Sequence, residues 1–389
     1  MTLKRILNRD LRNTTPVPNL MNNVTNNKNY ENTRISVRSI TALAEFQEIK
    51  NEWNGVVSAS DFPSVHLSHD WVSAWWQNYG QGGGVFCFLL SDSEGCFGVA
   101  VFSGINFPLG PLRISALRLM GNELSSRSDI LLLRQPEAGM KAIVAQLASR
   151  PWLFLDFGRC TSASPALASI RANSAMFSVQ LREQFDVPLV DLSLSWEAWL
   201  ANKSRNFRKS IRRAKEKCKD YGVYRYPQEG KDVERLIDAV ERVAADSWSF
   251  AEGSSIVSKS SEREFICQIM STASQRNDLI AALLYDSDKP IAFAFGIRQG
   301  DVMFGFKTGY RSAYSEQGVG MTVMAVFIEC CMADNRCKIL DMDCISSNGE
   351  YKRRWADKFS QSVSYRIFRR RPLSSLLALF YKMKKKYHK

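Results

Sequence analysis

Apolar residues recur three or four apart between positions 40 and 57, where Leu43, Phe46, Ile49, Trp53 and Val56 mark one face of a helix. A second helix is predicted over 69–79, with Asp70 near its start and Trp71, Trp75 and Trp76 along it. Short apolar runs then predict strands at 85–90, 97–102, 114–120, 130–133 and 153–157, and the polar stretch 91–95 reads as a hairpin turn between the first two. A helical pattern over 137–148 separates the last two strands. Beyond position 187 the same order returns: a helix over 196–219, a short strand at 223–226, helices over 231–249 and 261–276, and strands at 279–285, 291–297 and 302–308. A helix over 318–334, a strand at 338–343, a short helix over 351–357 and a strand at 362–368 complete it. Helices first, then antiparallel strands, then a helix and a further strand make a mixed α/β (α+β) chain of two similar halves. The similarity lies in the order of elements, not in repeated residues.

The ends of the chain differ from this body. Nine of the first 32 residues are Asn, with Pro16 and Pro18 among them, so 1–34 reads as a flexible leader that has little to bury. The predicted organisation is a leader over 1–34, a first domain over 35–186, a second over 187–370 and a basic tail over 371–389. With 45% hydrophobic and 11% aromatic residues, the body has enough apolar content for two cores.

Charge adds a finer picture. The net charge of +13 is concentrated in two places: residues 203–219 hold nine Lys or Arg against Glu216 alone, and residues 366–389 hold nine and no acid. The remainder is mildly acidic. Such patches attract phosphates, nucleic acid or anionic lipid, unless they are simply solvated helix faces. Nine scattered cysteines with no Cys-x-x-Cys pair disfavour a disulfide framework or a zinc site and suit a reducing cytosol. No apolar run reaches the roughly 20 residues of a spanning helix.

The most informative segment is 279–355. After its strands, Gln317, Gly318, Val319 and Gly320 open a helix, and backbone N–H groups at such an end can hold a pyrophosphate. A plain tight turn is the alternative. The strand at 338–343 is predicted to lie parallel to 302–308, and two parallel strands that splay apart leave a backbone edge for an extended amide ligand. Period-2 alternation puts Asp341 and Asp343 on one strand face, where paired carboxylates raise one pKa. Asp343 is the first candidate base, with Asp341 and Glu350 behind it; capping of the following helix is the competing role. Tyr351 is a candidate general acid or a core ring, and Lys352 a phosphate contact or an exposed cation. Trp248 and Lys307 are candidates to line an acceptor pocket, although Trp248 reads more readily as core. Only three histidines exist, and His69 reads as the start of a helix rather than a catalyst. Cys330 and Cys331 have no histidine nearby to activate them.

Several of these pieces together resemble the GNAT-type acyltransferases associated with bacterial cellulose and polysaccharide biosynthesis. They are Trp71 to Trp76, Asp246-Ser247-Trp248, Lys289-Pro290-Ile291-Ala292, Lys307-Thr308-Gly309-Tyr310, Tyr314 to Gly318, Leu340-Asp341-Met342-Asp343, and Tyr351-Lys352 with Trp355. The resemblance spans about 36–365 and implies two tandem GNAT-like domains, each a mostly antiparallel mixed sheet flanked by helices. It implies an acyl-CoA donor, acetyl-CoA foremost, no metal, and direct transfer to an amine or hydroxyl of a sugar-related acceptor. Catalysis falls to Asp343 and Tyr351, donor binding to Gln317, Gly318, Val319, Gly320 and Lys352, and acceptor binding to Trp248, Lys307 and Tyr310. The usual Gln/Arg-x-x-Gly-x-Gly/Ala signature places Ser315 at its first position, with Gln317 beside Gly318.

Two rival readings use other residues. The basic helix at 203–219 is similar to one that opens the second half of Fem-type peptidyltransferases, which implies an aminoacyl-tRNA donor on the same fold. The tail, with Leu373, Leu376, Leu377, Leu379 and Phe380 followed by Lys382 and Lys384 to Lys386, reads as an amphipathic basic helix at an anionic membrane surface. That leaves room for a catalytically inactive scaffold in glycan assembly.

Overall fold

Alternation along the strands builds the fold. In β2 (Val85–Asp92), Val85, Cys87 and Leu89 enter one core while Phe86, Phe88 and Leu90 enter another on the opposite side. In β9 (Leu279–Asp286), Leu279, Ala281 and Leu283 share the first of these cores, whereas Ile280, Ala282 and Leu284 enter a third. A strand buried on both faces needs apolar residues throughout, and both strands carry them. The computed structural model describes residues 34–387 apart from 62, 81–83, 110–111, 121–124, 126, 248–255 and 346–348. The Asn-rich stretch 1–33 and Trp248 lie outside the described residues.

Among the described residues, thirteen strands form one sheet. The outer strands of the first half are β1 (Ser36–Ile40), β2, β3 (Gly95–Leu109) and β4 (Leu112–Leu119), antiparallel neighbours in that order, with β5 (Leu131–Leu132) pairing β3. A helix crossover then brings β6 (Phe154–Thr161) parallel to β4. The second half repeats this from the other edge. There β8 (Gly222–Tyr226), β9, β10 (Lys289–Gln299) and β11 (Val302–Tyr310) are antiparallel, and β12 (Ile339–Asp341) lies parallel to β11. The centre is an exchange. The strand after β6, β7 (Phe177–Asp191), pairs β12 of the second half, and the strand after β12, β13 (Lys358–Arg369), pairs β6 of the first. These two strands also pair with each other from Lys358↔Leu189 to Arg369↔Phe177. Residue 187 therefore lies inside a strand that serves both halves.

Helices cover both faces. On one face α1 (Leu43–Glu48), α2 (Lys50–Ala59) and α3 (His69–Tyr79) of the first half share a core with α8 (Val233–Ala244) and α9 (Ser260–Gln275) of the second. Trp71 of α3 stands edge-on to Phe265 of α9 and Phe306 of β11, and the Asp70–Arg276 ion pair adds a charged link. The other face holds α4 (Pro136–Leu147) and α5 (Pro165–Ala172) over the first half. Over the second half it holds α6 (Trp196–Ala201), α7 (Arg205–Lys217) and α10 (Val319–Ala333). Finally, α11 (Pro372–Tyr387) packs on β13.

Several expected elements are broken or shortened. The helix expected over 196–219 is two helices, because Ser204 accepts a hydrogen bond from the Phe207 N–H and starts a new one. Ser68, not His69, caps α3 through the Trp71 N–H; the His69 ring is buried, with Nε2 at 2.8 Å from the Phe46 carbonyl. The strand expected over 338–343 ends at Asp341, since Asp343 takes φ +66° and its N–H turns back to the Asp341 carboxylate at 2.8 Å. The period-2 placement of both aspartates on one strand face therefore fails.

Candidate functional site

Strands β11 and β12 pair only at Val302↔Ile339, Met303↔Leu340 and Phe304↔Asp341. Past that point they separate, and Gly305 and residues 307–310 keep their pairing to β10, with Phe306 on a bulge, while 305–310 have no strand on the other side among the described residues. The gap opens into two adjoining cavities. The inner one, about 70 Å³, is lined by Phe295, Phe306, Lys307, Leu340, Met342 and Tyr351 among others. The outer cleft, about 570 Å³, is lined by Phe207, Tyr310, Ser315, Gly318, Met321 and Arg354 among others. Thr308, Met324, Tyr351 and Lys352 border both, so the neck between them is made of those four side chains.

Gly318 and Gly320 stand at the floor of the outer cleft. Gly318 has φ +79° and caps α10 without a side-chain bond; a Cβ there meets the Ala214 Cβ at 3.0 Å and its Cα at 3.1 Å. A Cβ on Gly320 meets the Tyr310 ring at 3.0 Å. Both glycines thus let another group approach closely, α7 at Gly318 and the Tyr310 ring at Gly320. The first N–H groups of α10 have no helical acceptor, and this end borders the cleft. Val319 is fully buried in the core. Gln317 turns its side chain to the Tyr221 hydroxyl, which donates to its Oε1, and it is Ser315 that lines the cleft.

The neck carries the polar chemistry. Tyr351 is 43% exposed along the cleft, and desolvation of its hydroxyl, helped by the charge of Asp343 and by Tyr310, pushes its pKa up to about 12. It therefore stays protonated at neutral pH and can donate. Lys352 reaches toward the Cys344 carbonyl, with Nζ at 3.4 Å, and borders both cavities. Lys307 points its ammonium at Glu262, 3.2 Å away, at the inner end. Asp343 is half-buried on the turn after β12. Its neighbour Asp341 is buried and bound by Arg127 of the first half, Nη2 to Oδ2, at 2.6 Å. Desolvation raises the Asp341 pKa, Arg127 opposes that, and the charge of Asp343 adds a smaller upward push. Burial holds His66, which faces the same group of charges, down at about 3, so it is neutral. Burial also pushes the Cys330 thiol up to about 12 and Cys331 well above the usual thiol range, so neither supplies a thiolate.

The far wall is pinned by Lys203. Its buried ammonium donates to the Trp355 and Ala356 carbonyls at 2.7 and 2.8 Å and to the Asp357 carboxylate at 2.6 Å. Phe207 stands edge-on to Trp355 at 5.0 Å, and Arg354 lies over Phe207 while donating to the Ser210 hydroxyl. Residues 203–219 are therefore mixed in purpose: Lys203, Arg208, Lys215, Lys217 and Lys219 are held by the protein, whereas Arg205, Lys209, Arg212 and Arg213 are solvent-facing. Arg127, Phe207 and Arg354 carry no local signal that marks them for this place.

The splayed parallel pair with a glycine-opened helix beside it falls within a segment that is similar to known proteins. Residues 205–353 match the acetyltransferase (GNAT) domain family. The matched segment lies within the second half and is similar to a GNAT-type acetyltransferase domain. Solved structures extend the likeness in fold to the whole described body. A conserved protein of unknown function from Bacteroides thetaiotaomicron VPI-5482 is 11% identical with a TM-score of 0.55, covering 87% of this chain and all of its own. FemX is 9% identical with a TM-score of 0.54, covering 84% and 96%. A tandem GNAT protein from the clavulanic acid biosynthesis pathway is 9% identical with a TM-score of 0.50, covering 87% and 99%. The fold is thus a mixed α/β GNAT fold with a tandem GNAT among its neighbours. No curated protein matches the chain. Within that segment the structure brings Tyr310, Gly318, Gly320, Tyr351 and Lys352 to the outer cleft, Lys307 to the inner cavity and the charge of Asp343 close to Tyr351; Val319 and the Gln317 side chain are directed elsewhere. No group of His, Cys, Asp and Glu among the described residues is arranged to hold a metal ion.

Proposed function

We propose that the protein transfers an acyl group from an acyl-CoA donor to an amine or hydroxyl on a sugar-related acceptor. The observation that carries this reading is the continuous gap between β11 and β12, with a free backbone edge at 305–310 and the α10 N-terminus at its outer end. An extended pantetheine amide pairs with such an edge, and its pyrophosphate meets the helix N–H groups. The thioester then lies at the neck. The acceptor enters from the inner cavity, where Lys307 and Glu262 supply a cation and a carboxylate for its polar groups. Its amine or hydroxyl attacks the thioester carbonyl, the new C–N or C–O bond forms and the C–S bond breaks. Asp343 accepts the acceptor's proton through water, and Tyr351 donates one to the departing thiolate.

A thiol-release assay over a panel of acyl-CoAs and amino sugars tests this, with Asp343→Asn and Tyr351→Phe as controls. The reading requires turnover with at least one pair and a fall in both variants; unchanged rates in both overturn the catalytic roles.

A second reading rests on Arg205, Lys209, Arg212 and Arg213. They are exposed on the helix whose Phe207 lines the cleft, and none has an ion-pair partner among the described residues. A tRNA-borne donor uses such a basic face. Filter binding with tRNA at two salt concentrations separates the readings, because only the second requires tight binding that falls steeply with salt.

A further inference from the structure

The last helix has two apolar faces, and only one is used. On α11, Ser374, Leu377, Ala378 and Tyr381 turn inward, where Ala378 and Tyr381 pack with Phe154 and Phe368, and the Gln180 amide donates to the Ala378 carbonyl. The guanidinium of Arg366 lies against the Tyr381 ring at 4.6 Å. Helical periodicity puts Leu373, Leu376, Phe380 and Met383 in a separate stripe, with Leu379 on its flank. These five are 63%, 65%, 53%, 46% and 55% exposed, respectively. Single exposed leucines are ordinary, but five large apolar side chains along one helix form a patch that asks for a partner.

The charges around the stripe say which partner. Arg370, Arg371 and Lys382 are exposed, no Asp or Glu occurs from 366 to 389, and the sequence continues through Lys384, Lys385, Lys386 and Lys389. Arg370 and Arg371 precede the helix N-terminus, where the macrodipole disfavours cations, so helix stability does not account for them. A symmetric dimer through this face would bring two such clusters together. An anionic surface with an apolar interior satisfies both features at once.

We propose that α11 is a fixed docking platform for an anionic phospholipid bilayer, lying flat with Leu373, Leu376, Leu379, Phe380 and Met383 in the acyl boundary and the flanking cations on the headgroups. Because its other face is packed on β13, the helix holds the folded body against the surface rather than detaching from it. No helix among the described residues is long and apolar enough to cross a membrane, so the contact is peripheral.

Vesicle co-sedimentation of the full chain tests the platform, using phosphatidylcholine with and without phosphatidylglycerol at low and high salt. The proposal expects pelleting with phosphatidylglycerol at low salt and much less in high salt or with phosphatidylcholine alone. Replacing Arg370, Arg371 and Lys382 by Gln weakens partitioning about a hundredfold, and Leu376→Glu with Phe380→Glu abolishes pelleting while leaving the melting curve unchanged. Wild-type protein that stays in the supernatant, or a Glu variant that pellets as well as wild type, overturns it. Equilibrium sedimentation in buffer is the second readout: a dimer that the two Glu substitutions dissociate assigns the stripe to a second copy and also overturns it.

Discussion

Arg127→Met isolates the ion pair that ties the first half to the end of β12. The Arg127 side chain is 17% exposed and that of Asp341 6%, with 2.6 Å between Nη2 and Oδ2. Removing one partner of a buried pair leaves the other charge without compensation and costs about 3–5 kcal/mol. Asp341 keeps the Asp343 N–H at 2.8 Å, which places the loss at the lower end of that range. At roughly 2–4 °C per kcal/mol, the melting temperature falls by about 6–12 °C. The sign of the pH dependence follows from the direction of the shift. The folded Asp341 pKa is already raised by desolvation, and loss of the arginine raises it further. The folded state then binds more protons than the unfolded one above the ordinary carboxylate pKa, so stability falls as pH rises. The variant therefore loses less at pH 5 than at pH 8, and Arg127→Met with Asp341→Leu recovers most of the loss. Thermal unfolding followed by circular dichroism at both pH values measures this. A melting temperature within about 2 °C of wild type, less than 1 kcal/mol by the same conversion, contradicts an uncompensated buried charge at Asp341. So does an equal loss at the two pH values.

Three further outcomes follow from the geometry. Tyr351→Phe lowers kcat by about 10²–10⁴ with little change in KM, as measured by thiol release, because the ring that lines the neck remains while the proton is lost. Gly320→Leu drives a side chain into the Tyr310 ring, which a Cβ already meets at 3.0 Å, and weakens donor binding by about tenfold or more in calorimetry while the fold persists. Asp129, whose carboxyl burial pushes up to about 7, contributes stability that is fully present below the unfolded carboxylate pKa and is lost as pH rises through 7. Asp129→Asn accordingly flattens the fall in melting temperature between pH 5 and pH 8, and an unchanged slope counts against that assignment.

Much of the second half is legible because its strands are buried on both faces. Leu279 to Tyr285 and Ile291 to Ile297 are apolar without interruption, and Asp286 to Lys289 marks the turn. The exchanged strand β7 is not legible. Arg182, Glu183 and Asp186 interrupt it, and its order comes from pairing β13 across nearly two hundred residues rather than from its own pattern. β3 likewise runs to Leu109, past the Gly104, Asn106 and Pro108 that hide it, since residues 103–109 pair with β4. For the site, glycines before a helix and a tyrosine after an aspartate strand are local signals, and they converge on the cleft. Arg127 is invisible because its partner is 214 positions away, and Lys203 because a basic run gives no hint that one member is buried. Alternation does not reach Asp343, because the strand ends at Asp341 and Asp343 itself takes a left-handed conformation.

Amide hydrogen exchange with and without acetyl-CoA reports where a donor contacts the backbone. A donor lying between β11 and β12 slows exchange at 305–310 and at the first turn of α10, Val319 to Met321, and leaves the first half and α11 unchanged. Protection confined to the first half, or none at saturating donor, contradicts a donor cleft between β11 and β12.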